Sequence, residues 1–298
     1  MSCDWKESMV KKLANISFLT LIIFSLFAGC NTTFFYHPTR LEYFNPDRMG
    51  FPSRDIWIKS KDGTSLHGFH IGATGLSASK NTLVLFFHGN AENISSHFIS
   101  VAWMADRGYD LMMFDYRGFG RSDGEVAHSD VQDDVLAMLR AGDDFARRKG
   151  MKLVVYGQSL GGILAANGLI RWKSDTSYRQ PDLLVLDSTF SSYSSIGASK
   201  MRGCLLPAFF LPYLILSDRH AVSGRLGFLA PLPLLVVHGD ADDTVPMSFG
   251  RELFDEAGEP KRLIIVKGAS HASWAGLGRS PIVSDFLSAM GEMLQRSP

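Results

Sequence analysis

Cysteine is scarce. There are three in 298 residues, Cys3, Cys30 and Cys204. That excludes a scaffold stapled by disulfides. An excess of charge is missing too: Lys plus Arg is 30 and Asp plus Glu is 30. With no basic surplus to engage a phosphate backbone, nucleic acid is not an expected partner. Charged residues make up only 20% and hydrophobic residues 46%, which is not the composition of a disordered chain. A chain of this length buries enough surface to support its own core. Internal repeats and linkers are absent, so one folded domain is expected.

Charge vanishes altogether between Lys12 and Arg40. Inside that gap lies the apolar stretch ISFLTLIIFSLFAG, residues 16–29, and Cys30 follows. Lys6, Lys11 and Lys12 precede it. A basic start, an apolar stretch and small residues at its end read as an export signal. Ala28 and Gly29 before Cys30 resemble the processing site of a bacterial lipoprotein, although Phe27 stands where such sites usually have Leu. There the chain is cut before the cysteine, which then carries lipid. Residues 1–29 are therefore expected to be a signal peptide, Cys30 the lipid attachment point and 30–52 an N-terminal tether. An uncleaved membrane anchor and a plain cleaved signal are the alternatives. Each places the domain at the cell envelope, membrane-anchored or near a membrane, on the periplasmic or extracytoplasmic side. Cys204 would remain alone, so no disulfide is expected.

From residue 53 onward, strand-like and helix-like pieces alternate. Residues 55–60 and 65–71 flank an Asp-Gly turn and read as a hairpin. Six short runs follow, at 82–87, 111–116, 152–157, 182–187, 233–238 and 262–267. They are apolar nearly throughout, as parallel strands covered on both faces must be. Helix-like spacing occupies 92–108, 129–149, 160–172 and 281–295. This order predicts an α/β fold, a mostly parallel sheet with helices on both faces, over residues 53–298. One long excursion, at about 190–230, contains the uncharged run 204–216, divided by Pro207 and Pro212. It reads as a lid-like cover over the strand ends.

The chemistry concentrates at Gly157-Gln158-Ser159-Leu160-Gly161. The motif directly follows a strand and directly precedes a helix, the frame that makes G-x-S-x-G a nucleophile elbow. Ser159 is the expected nucleophile. A serine at neutral pH needs a base, and the base needs an orienting acid. In an open parallel sheet these come from loops at the carboxyl ends of strands. His271, just after the last strand, fits as base. His238 reads as a turn residue, His88 follows the strand 82–87 and precedes the oxyanion candidates, and His37, His97, His128 and His220 read as surface or packing residues. Spacing leaves the acid open among Asp187, Asp240, Asp242 and Asp243. Two backbone donors are needed for the oxyanion. Leu160 N–H is one, and the loop His88-Gly89-Asn90-Ala91 offers Asn90 N–H as the other. No metal and no cofactor are called for by these residues.

Taken together, the motifs resemble the α/β-hydrolase superfamily, and within it the Bem46-like, serine aminopeptidase-like branch. His88-Gly89-Asn90-Ala91, Asp115-Tyr116-Arg117-Gly118-Phe119-Gly120 with Ser122, and the Gly157–Gly162 elbow carry the likeness. The resemblance implies an α/β-hydrolase fold, Asp242 as the acid and His271 as the base. It also marks one departure, Glu92 where relatives often have Gly. An Asp115–Arg117 pair is expected to brace its turn. The implied activity is hydrolysis of a carboxylic ester or thioester of a small or acyl-chain substrate through an acyl-enzyme. A peptidase for small peptides and a non-catalytic binding protein on the same fold are the alternatives. Phe190, Phe209, Phe210 and Tyr213 are expected to line a greasy acyl pocket.

Overall fold

The computed structural model describes residues 30–74, 80–174, 179–201 and 210–297. The expected signal segment, residues 1–29, lies outside the described residues, as does Phe209. The chain opens with helix α1 (Cys30–Phe35) and a two-residue strand β1 (His37–Pro38). The hairpin is β2 (Ser53–Lys59) and β3 (Ser65–Ile71). The buried runs become β4 (Thr82–Phe87), β6 (Asp110–Phe114), β7 (Lys152–Gln158), β8 (Leu183–Asp187), β9 (Leu234–Gly239) and β10 (Lys261–Val266), with a short β5 (Ala91–Glu92) beside β1. Eight strands form one sheet in the order β10-β9-β8-β7-β4-β6-β3-β2. Neighbours run parallel from β10 to β6, while β3 is antiparallel to both β6 and β2.

Strand β4 shows why the runs are apolar throughout. All six of its residues are buried. Leu83, Leu85 and Phe87 enter the core on one face, Val84 and Phe86 the core on the other. A period of two with both faces covered leaves no interior position for a polar residue, and Thr82 at the strand start satisfies its hydroxyl on Lys80 O. Helices α4 (His128–Lys149) and α5 (Leu160–Trp172) cover the first face, and α9 (Ile282–Gln295) packs on the second. Helix α4 stops at Gly150, which takes φ 65° and closes the last turn. Between β8 and β9 the excursion forms α6 (Tyr193–Lys200), α7 (Leu211–Ile215) and a 3-10 turn at Leu226–Leu229. Helix α8 (Met247–Glu256) follows β9.

Three local expectations need correction. Residues 92–108 do not make one helix but two short ones, α2 (Ile94–His97) and α3 (Ile99–Ala102), and a 3-10 turn. Ser96 and Ser100 hydroxyls donate to the carbonyls of Asn93 and His97, which competes with regular helix bonding. Arg117 does not pair with Asp115. Its guanidinium donates to Asp134, Asp62 and Asp130, whereas Asp115 accepts the Ile94 N–H. Segment 30–52 is not a loose tether either. Thr32 Oγ1 accepts the His128 N–H at 3.0 Å, Tyr36 Oη donates to His128 Nδ1 at 2.9 Å, and β1 pairs with β5.

Candidate active site

Strand β7 ends at Gln158 and α5 begins at Leu160, so Ser159 alone makes the turn. Its backbone takes φ 52° and ψ −124°, a conformation that side-chain-bearing residues rarely adopt. Two glycines make it possible. A Cβ on Gly157 would lie 2.5 Å from the Gly161 carbonyl oxygen, and one on Gly161 would lie 2.0 Å from that of Phe87. The turn is held by Ser159 N–H donating to Asp187 O and by Thr189 Oγ1 donating to Ser159 O.

His271, on the loop after β10, faces this serine. Its Nε2 lies 3.1 Å from Ser159 Oγ and its Nδ1 lies 2.7 Å from Asp242 Oδ2. Asp242 follows β9, and its side chain is fully buried. Burial opposes its ionisation, but hydrogen bonding from His238, His271 and the Val245 N–H outweighs that and holds its carboxyl well below the usual carboxylate range. Its Oδ1 accepts the N–H groups of Thr244 and Val245, which leaves Oδ2 aimed at His271. This carboxylate therefore keeps a proton on Nδ1 and a lone pair on Nε2, the tautomer that accepts a serine proton.

Asp187 and Asp240 have other partners, and Asp243 is exposed. Asp187 is buried and accepts four donors: Tyr156 Oη, Gln158 Nε2, Ser188 Oγ and Trp274 Nε1. It holds the loop that carries His271 rather than His271 itself, since Trp274 lies on that loop and Ser188 Oγ accepts the Ala272 N–H. Asp240 Oδ1 accepts the Gly268 N–H. The Asp243 carbonyl oxygen accepts Lys200 Nζ.

Leu160 and Asn90 line the same cavity as Ser159. The Asn90 loop is pinned from two sides. His37 N–H donates to Asn90 O at 2.7 Å, and Thr39 N–H to Glu92 O at 3.2 Å. From the other side His97 Nε2 donates to Ala91 O at 2.9 Å. Glu92 takes φ 60°, the left-handed region that favours glycine, which is the physical content of its departure from the motif.

That cavity, about 360 Å³, has Ser159 at its base and mainly apolar walls. Phe190 lines it, as expected from the sequence. Phe210 and Tyr213 do not. They stand exposed, and Leu211, Pro212, Ile215 and Leu216 form that wall instead. Around a helix those four share one side, and 210, 213 and 214 fall on the opposite one. Sequence reasoning missed the other wall, Phe34 and Phe35 from α1. The aromatic triplet Phe34-Phe35-Tyr36, just past the apolar leader, was the available signal. Phe35 stacks on Phe190 at 5.9 Å and meets Tyr193 edge-on at 5.0 Å.

The profile of the Hydrolase_4 family, serine aminopeptidase S33, matches residues 78–196. YfhR of Salmonella typhi is 34% identical over 284 residues, covering 91% of each chain. Lysophosphatidylserine lipase ABHD12 of Danio rerio is 30% identical over 194 residues, 62% of this chain and 50% of that one. Among solved structures, an esterase from Pyrococcus furiosus superposes with a TM-score of 0.67 at 21% identity, covering 88% of this chain and 98% of that chain. The chain belongs to the α/β-hydrolase superfamily, in the family of the YfhR proteins, and is an enzyme of the serine-hydrolase type.

Proposed function

We propose that the enzyme hydrolyses carboxylic esters or thioesters of acyl-chain substrates through Ser159, His271 and Asp242. The observation that carries this reading is the unbroken relay from Asp242 Oδ2 to His271 (2.7 Å) to Ser159 Oγ (3.1 Å) at the base of an apolar cavity. Ser159 Oγ attacks the carbonyl carbon as His271 Nε2 takes its proton. The oxyanion is received by the N–H groups of Leu160 and Asn90, where one donor typically contributes about 3 kcal/mol in the transition state. Collapse breaks the bond to the alcohol or thiol, which leaves with the proton from His271. Water then attacks the acyl-enzyme with His271 as base, releases the acid and restores Ser159.

An acyl chain suits the walls, because among the described residues Lys200 is the single charged one that lines the cavity. An aminopeptidase would need an acidic group there for the substrate ammonium. Membrane attachment through a lipid on Cys30 completes the reading. It brings the enzyme to the surface where acyl esters reside. The experiment is a series of p-nitrophenyl esters of increasing chain length, with an aminoacyl p-nitroanilide for comparison. The reading predicts kcat/KM rising with chain length beyond acetate and little anilide cleavage. A flat ester series or preferred anilide cleavage contradicts it.

A further inference from the structure

Helices α1 and α7 carry more apolar surface than the cavity uses. Phe34 and Leu211 line the cavity mouth, yet they are 56% and 42% exposed. Leu214, one residue from the end of α7, is 79% exposed and does not line the cavity. A single exposed apolar residue is ordinary, but a group continuous with a cavity mouth marks an interaction surface. The two helices are tied together just past the end of α7. Asn31 Nδ2 donates to Ser217 O at 2.8 Å, and Ser217 N–H donates back to Asn31 Oδ1 at 2.7 Å.

What covers this face is indicated by where the chain comes from. The sequence carries no Lys, Arg, Asp or Glu from Leu13 to Thr39, and its apolar stretch 16–29 ends where α1 begins. The lipid proposed on Cys30 thus joins the domain at the first residue of the helix that walls the cavity. We propose that α1 and α7 form a bilayer-docking face. Phe34, Leu211 and Leu214 enter the acyl–headgroup boundary, and the cavity mouth opens onto lipid. An acyl chain then passes from the bilayer to Ser159 without crossing water. This inference rests on the acyl-ester reading above for its substrate, but not for its geometry.

The test uses the full chain reconstituted in vesicles of phosphatidylethanolamine and phosphatidylglycerol. A long-chain fluorogenic ester is carried in the vesicle, and p-nitrophenyl butyrate is supplied in solution. Leu214→Asp is expected to lower hydrolysis of the vesicle-borne ester about tenfold, because a charge at the boundary opposes apolar insertion. Hydrolysis of the soluble ester should be unchanged. Phe228→Asp, at an exposed phenylalanine that does not line the cavity, should change neither. Unchanged vesicle hydrolysis in Leu214→Asp overturns the docking face. A second readout is independent of activity: Leu214→Trp fluorescence should be quenched by brominated lipid beyond the native protein's quenching. No added quenching, or a dimer that shields this tryptophan from lipid, also overturns it. A native protein inert to both esters refutes the esterase reading alone, and the tryptophan readout still decides the face.

Discussion

Ser159, Asp242 and His271 stand on loops at the carboxyl ends of β7, β9 and β10, whereas the apolar wall opposite them comes from α1 and α7. The first region is fixed by the sheet. Six parallel neighbours set the spacing of the loops, and the elbow stores backbone strain that two glycines permit. The second region is held by a handful of side-chain bonds, Asn31 to Ser217, Thr32 to His128 and Tyr36 to His128. The sheet keeps the chemistry in place, and a wall built from two separate helices leaves room for substrate preference to vary.

Substitutions should separate the two regions by kind as well as size. In the first region, Asp242→Asn is expected to lower kcat by about 10⁴, since the imidazole loses the partner that sets its tautomer. Asp187→Asn is the contrast. It removes the charge from a carboxylate with four donors, so unfolding free energy should fall by about 2 kcal/mol in urea titration while kcat drops far less. Equal losses of kcat in the two variants would erase the distinction between them. On the wall, Phe35→Ala should lower kcat/KM for a long acyl ester about tenfold and leave an acetate ester nearly unchanged, because only the longer chain reaches that ring.

The smallest effect is a pH dependence. Burial, followed by the nearby His220, lowers the His128 pKa from 6.5 to about 4. Its folded-state value is depressed, so it contributes stability above about pH 6.5 that is lost as pH falls through about 4. Melting temperature followed from pH 7 to pH 4 should fall less steeply in His128→Gln than in the native chain. Parallel curves would remove His128 from the account.

The contrast also explains what could be read from the residues alone. The strands were legible because both sheet faces are covered, so runs such as Thr82–Phe87 contain no polar interruption beyond the first residue. Ser159 was legible because its elbow requires glycines at fixed spacing. The acid was not, since Asp187 and Asp242 both end buried near strand termini. Which donors each carboxylate meets is visible only in three dimensions: Asp187 faces Tyr156, Gln158, Ser188 and Trp274, and Asp242 faces His271. Phe34 and Phe35 escaped for a different reason. Their place depends on contacts with distant chain, as in the Asn31–Ser217 pair, 186 residues apart. No local period encodes such a contact. Arg117 illustrates the same limit: its closeness to Asp115 in the chain suggested a pair, but its partners Asp62, Asp130 and Asp134 come from distant chain, and Asp115 is taken up by the Ile94 N–H.

The central claim is that Ser159 is the activated nucleophile, and covalent labelling tests it most directly. Intact-protein mass spectrometry after fluorophosphonate treatment should show one adduct, mapped to the Ser159 peptide, and none in Ser159→Ala. An adduct that persists in Ser159→Ala, or a native protein that never labels, contradicts the account.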